Sequence, residues 1–97
     1  MSYPFTAESL LSPLKTDLGI TTDYYNDRLL FRLNTAMDRI TAAGVALENT
    51  NGDQDLVLMY AAWLWRSRVS GEGMGRMLQL ALNNRIFGQA MEGAGDG

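Results

Sequence analysis

The sequence predicts an all-α fold, a small bundle of about four helices with a flexible C-terminal tail. Apolar residues recur at helical spacing over about 7–18, 23–43, 53–69 and 74–87. Strand signals are weak: no useful alternating apolar stretch occurs, and the hairpin-like pair Asn51-Gly52 lies between two helical patterns. Gly19, Gly44 and Gly88 stand where helices would stop.

In the first helix, Thr6 is the N-cap and Gly19 the left-handed residue after the C-terminus. Pro13 removes one backbone hydrogen bond inside it, which predicts a kink or two short turns. Asp23 caps the second helix, where Leu29, Leu30, Leu33, Ala36, Met37 and Ile40 fall within about 120° of arc at roughly 100° per residue. Arg28, Arg32 and Arg39 lie within about 40° of one another on a separate face, and Phe31 projects with Asp27 and Asp38 toward water.

The third helix is apolar nearly all round. Leu56, Met59, Tyr60 and Trp63 form one face, and Leu58, Ala62, Trp65 and Val69 form another. Such a helix is either wrapped by its own chain or buried against a second subunit. Trp63 and Trp65 point about 160° apart, so they are expected to face different partners, one within the chain and one nearer a neighbour. The fourth helix follows Gly71, Gly73 and Gly75, with Met74, Met77, Leu78, Ala81 and Leu82 on its main apolar arc and Leu80 and Phe87 on a smaller second face. Arg85 falls in the middle of the main arc and requires a carboxylate, helix-terminal carbonyls or a partner chain. Residues 1–91 read as one domain, and 92–97, glycine-rich and without large apolar residues, as a disordered tail.

Composition narrows the function. The 97 residues carry formal net charge −3 and contain neither cysteine nor histidine. Thiol nucleophiles, imidazole bases, disulfides and the usual zinc ligand sets are therefore absent, and no carboxylate spacing argues for acid–base chemistry or a Mg²⁺ site. The expectation is a protein that is not an enzyme and uses no cofactor. The N-terminal residues lack the pattern of a secretory signal, and the apolar run 56–65 is too short to span a membrane, so a soluble protein made in the cytoplasm is expected. A domain this small buries only roughly 60 to 65% of its unfolded surface, which makes a partner subunit advantageous.

The Arg28, Arg32, Arg39 stripe reads as a solvated face or as a surface for phosphates or a neighbour's carboxylates. Arg66, Arg68, Arg76 and Arg85 face only Glu72 between residues 56 and 91, which gives a positive patch for DNA or an acidic partner; alternatively, Arg66 and Arg68 complement the third helix's C-terminus. The segment Gly71-Glu72-Gly73-Met74-Gly75 follows a helix and lacks a Gly-Lys-Ser/Thr end, so it reads as a connection rather than a phosphate loop. A helix-turn-helix reading is disfavoured, because the would-be recognition helix offers Met77, Leu78, Leu80 and Leu82 to the bases.

Three segments, Leu14-Lys15-Thr16-Asp17-Leu18-Gly19-Ile20, Asp27-Arg28-Leu29-Leu30 and Leu56-Val57-Leu58-Met59-Tyr60-Ala61-Ala62-Trp63-Leu64-Trp65-Arg66, together with Ala81-Leu82-Asn83-Asn84-Arg85, carry a family likeness. Over about 10–88 the chain resembles the tailed-phage head-tail connector proteins, also called head-completion or adaptor proteins. The resemblance implies a largely helical structural virion protein in the neck, at the head-tail junction. Its copies would form a ring, normally twelve-fold, beneath the portal vertex, extending the DNA channel and presenting a platform for the next neck or tail protein. The implied partners are further copies of the chain, the portal protein, that next neck or tail protein and passing double-stranded DNA held without sequence specificity, with no membrane.

On that reading the subunit-interface candidates are Phe31, Leu58, Trp65, Val69, Leu80 and Phe87. Arg28, Arg32, Arg39, Arg66, Arg68 and Arg76 are charged interface or channel candidates, and Arg85 is a structural ion-pair candidate. The alternative is a small helical DNA-binding or regulatory module using the Arg66, Arg68, Arg76, Arg85 patch.

Overall fold

A computed structural model describes residues 3–95, with side chains through residue 89. Four helices follow in chain order, α1 (Ala7–Leu18), α2 (Asn26–Ala42), α3 (Asn51–Ser70) and α4 (Arg76–Gly95), and no strand occurs among the described residues.

Local signals set both ends of α1. The Thr6 hydroxyl accepts the Ser9 N–H at 3.2 Å. Gly19 adopts φ 71°, where a side chain would be strained, and Ile20 N–H closes the helix onto the Lys15 carbonyl at 2.9 Å. Pro13 neither breaks α1 nor divides it into two turns. Pro13 and Ser9 both lie at the surface, so the Ser9 carbonyl that loses its helical partner is close to water.

The start of α2 departs from expectation. Asp23 is not its cap: its carboxylate takes the Lys15 ammonium at 2.9 Å and the Asn26 amide at 3.3 Å. Tyr25 occupies the N-cap position without a side-chain hydrogen bond, and the helix ends at Ala42, just before Gly44. The predicted apolar face is buried through Leu29, Leu33, Ala36, Met37 and Ile40.

α3 begins earlier than predicted. Thr50 caps it by accepting the Asp53 N–H at 3.2 Å, so Asn51 and Gly52 are its first two residues. It is the central helix, packed against α1, α2 and α4, while α1 and α2 also pack on each other. Its own chain therefore supplies most of the burial its sequence demands, leaving Leu58, Met59 and Trp63 half-buried and Val69 exposed. Fully burying side chains such as Leu14, Leu29, Leu33 and Val57 contributes roughly 1.5 to 3 kcal/mol each before entropy is subtracted.

The glycine-rich segment 71–75 is a helix connection, with Gly71 at φ 69° closing α3. α4 starts at Arg76 rather than residue 74, and it continues through Gly88 to Gly95. Residues 92–95 of the predicted tail thus belong to this helix, and 96–97 lie outside the described residues. Leu78 and Leu82 seat α4 on the core, whereas Met77, placed by the sequence on the same arc, points outward.

The second half of α4 is held by a polar clamp. Arg85 Nε donates to Asp53 Oδ1 at 2.7 Å, and Arg85 Nη2 donates to Asp53 Oδ2 at 3.2 Å and to the Ala46 carbonyl at 2.9 Å. Gln89, one turn on, donates to the Gly44 carbonyl and accepts the Ala46 N–H, at 2.9 and 2.8 Å. These bonds fasten both flanks of Gly88 to the α2–α3 loop, which offsets the roughly 1 kcal/mol that a helix-interior glycine costs. Arg85 therefore has the carboxylate its position in the apolar arc requires.

Asp53 is buried, and its second oxygen also accepts the Glu48 N–H at 2.8 Å. Burial pushes its carboxyl up, but the Arg85 and Glu48 hydrogen bonds and the Arg85 charge outweigh that, leaving it below the ordinary value of 3.8. A carboxyl lowered in the folded state stabilises the fold fully above its unfolded value. That contribution fades as pH falls through the folded value. Urea titrations of the wild type are thus expected to lose stability below about pH 4, and an Asp53→Asn variant to show a flatter acid limb.

Candidate functional site

α2 and α3 pack so that Tyr25, at the start of α2, meets Trp65, near the end of α3, with ring centroids 5.3 Å apart. The three-to-four-residue spacing of Arg28, Phe31 and Arg32 on α2 and of Trp65 and Arg68 on α3 then directs five side chains into one surface cleft. With Asp27 they line a volume of about 350 Å³. The Arg68 guanidinium lies 3.6 Å over the Trp65 ring and donates to the Trp65 carbonyl, while Arg32 stands 5.9 Å from the Phe31 ring.

The cleft is electropositive. Among the described residues no carboxylate pairs with Arg28, Arg32 or Arg68. Arg28 sits in the first turn of α2, where the helix dipole is itself positive, and Asp27 is the acidic side chain in the lining. Desolvating three guanidiniums with only the Asp27 carboxylate beside them is unfavourable, so the arrangement suits an occupant that is acidic at one end and apolar at the other.

The remaining interface candidates divide into other surfaces. Leu80 and Phe87 lie on the outer face of α4, 52% and 66% exposed, and Met77 joins them. Val69 is exposed in the last turn of α3, and Leu58 is half-buried against the core. Trp65 is only 7% exposed, so its bulk serves the subunit's own core and it has little left to offer a neighbour. Phe31, at 64%, is the large apolar side chain that the cleft presents to solvent.

The two tryptophans do face different partners, and both partners lie within the chain. Trp63 packs edge-on to Tyr60 at 5.4 Å, donates its indole N–H to the Glu72 carbonyl at 3.2 Å and lines a groove with Met77 and Leu78. α2 covers Trp65, whereas the α3–α4 connection with α4 flanks Trp63, which stays half-buried.

The arginines expected to form one patch are dispersed. Arg85 is committed to Asp53, Arg66 lines the Trp63 groove with Asp17 and Glu72, and Arg68 covers Trp65 on the opposite flank of α3. Arg76 and Arg39 are exposed, outside the cleft lining. Sequence reasoning missed Tyr25, which meets Trp65, and Tyr24, edge-on to Tyr25 at 4.9 Å; a tyrosine pair immediately before a helical pattern was the available signal.

No helix among the described residues is long and apolar enough to cross a membrane. No protein-family model, curated protein or solved structure matches the chain.

Proposed function

We propose that this chain is a non-enzymatic structural subunit that self-associates head to tail into a closed ring. The observation that supports this reading best is the placement of exposed apolar side chains on two sides of α3. Phe31 lies over the cleft on the α2 side, and Met77, Leu80 and Phe87 lie on the outer face of α4. Two unlike sticky surfaces on one subunit favour a heterologous contact, which closes into a ring when the rotation between subunits permits.

The resemblance to head-tail connectors supplies the setting: a ring in the virion neck between portal vertex and tail, through which double-stranded DNA passes without sequence-specific contacts. Its neighbours there are the portal protein and the next neck or tail protein. The dispersal of Arg66, Arg68, Arg76 and Arg85 weighs against the rival DNA-binding module, which needed them on one surface.

Native mass spectrometry over a range of concentration and ionic strength tests the proposal. The expected result is a closed high-order species for the wild type and its loss in Leu80→Asp, with the helical circular dichroism of that variant unchanged because Leu80 is half-exposed and outside the core. A strict monomer or dimer under all conditions counts against self-driven ring assembly. Duplex binding by that monomer or dimer, weakened by salt, would favour the DNA-binding reading instead.

A further inference from the structure

The cleft and the end of α4 are chemical complements that one chain cannot bring together. Arg85 on α4 meets Asp53 in the first turn of α3, while the cleft is built on Trp65 and Arg68 near the other end of α3. At a rise of about 1.5 Å per residue, Asp53 and Trp65 are separated by roughly 18 Å along α3. α4 runs antiparallel to α3, so beyond Arg85 it leads still farther from its own cleft.

Charge complementarity selects the occupant. The cleft gathers three arginines, none in an ion pair among the described residues, and one carboxylate, Asp27, around an exposed Phe31. The final stretch of α4 presents exposed Phe87, and the sequence after Arg85 contains Glu92 and Asp96 and no basic residue. The C-terminal end of a helix is also the negative end of its dipole. A segment with an aromatic anchor and an acidic end matches a cleft that presents Phe31 beside an arginine-rich rim.

We infer that the Arg28, Phe31, Arg32, Arg68 cleft of one subunit receives the Phe87-containing, acidic end of α4 from a second copy of this chain. The inference rests on the proposed head-to-tail assembly and names the two surfaces that make it. Each copy then uses its cleft toward one neighbour and its α4 end toward the other. The contact is therefore directional and leaves no subunit in a closed ring with an empty cleft.

The absence of cysteine makes a cross-linking test clean. Asp27→Cys at the cleft edge and Asn84→Cys, one turn before Phe87 on α4, replace exposed side chains and leave Phe31, Phe87 and the core intact. Mixing the two purified variants under mild oxidation is expected to give the mixed Asp27→Cys/Asn84→Cys disulfide about tenfold faster than either variant forms a disulfide with itself. Carrying Arg28→Glu with Arg32→Glu on the first variant should abolish that preference. Adding Glu92→Lys and Asp96→Lys to the second should restore part of it.

Equal rates for the mixed and like disulfides, or a preference insensitive to the arginine exchange, would overturn the inference. If native mass spectrometry nevertheless shows a ring, the assembly proposal survives and only this choice of surfaces fails. If the wild type is monomeric throughout and no mixed disulfide forms, both fall.

Discussion

Replacing Asp53 with alanine is expected to destabilise the fold by about 3 kcal/mol, because it leaves the Arg85 guanidinium and the Glu48 N–H without their carboxylate in a buried setting. For a domain of this size that corresponds to a fall of roughly 12 to 24 °C in melting temperature, readily followed by circular dichroism. Arg85→Met should cost a comparable amount, since it strands a buried carboxylate. The double variant Asp53→Ala/Arg85→Met should lose clearly less than the sum, because neither charge then remains without its partner. A loss below about 1 kcal/mol for both single variants would show that water screens the pair and that the clamp is not structural.

The second large effect separates the two tryptophans. Trp65→Ala removes a nearly fully buried indole that packs against Tyr25 and underlies Arg68, and about 3 to 5 kcal/mol of stability should go with it. Trp63 is half-buried, with one hydrogen bond to the Glu72 carbonyl, so Trp63→Ala should cost only about 1 to 2 kcal/mol. Urea midpoints of the two variants measure the difference. Equal losses would mean that the groove beside Trp63 is as tightly packed as the seam between α2 and α3.

These expectations also mark where sequence reading succeeds and where it stops. Thr6 and Gly19 act on residues three to five positions away, so both ends of α1 are legible in a short window. At the start of α2 the same reasoning fails for a non-local reason: Lys15, eight residues earlier, takes the Asp23 carboxylate that would have capped the helix. The start of α3 was readable in principle from Thr50 and Asp53, three apart, but the turn-forming pair Asn51-Gly52 between them points the other way. Beyond Gly88 the helix persists because Arg85 and Gln89 bind a loop some forty residues upstream. No local window contains that information.

The candidate site divides in the same way. The Arg28, Arg32, Arg39 stripe and the exposed Phe31 can be read from helical phase alone, whereas Arg66, Arg68, Arg76 and Arg85 scatter once the helices pack. Their convergence on one cleft depends on how α2 lies against α3, and the covering of Trp65 by Tyr25 depends on the path of the chain into α2. Arg85 was legible as a residue in need of a partner because a guanidinium in an apolar arc is costly wherever it occurs. Asp53 was not legible as that partner, since nothing in the linear sequence joins positions 32 residues apart.

The attachment of α4 to α3 and the α2–α3 loop has a consequence for the order in which the chain takes shape. When synthesis has passed Ser70, α1, α2 and α3 are all present and can close most of the core among themselves, without waiting for the last 20-residue helix. α4 then latches on last, by burying Leu78 and Leu82 and forming the Arg85–Asp53 pair and the Arg85 and Gln89 hydrogen bonds to Ala46 and Gly44. In the finished protein the same helix is the cooperative unit that opens with the least work, so its amides should exchange with solvent deuterium sooner than those of α2 and the middle of α3. On the proposed head-to-tail assembly, the cleft between α2 and α3 would be in place before the α4 end that fills a neighbour's cleft.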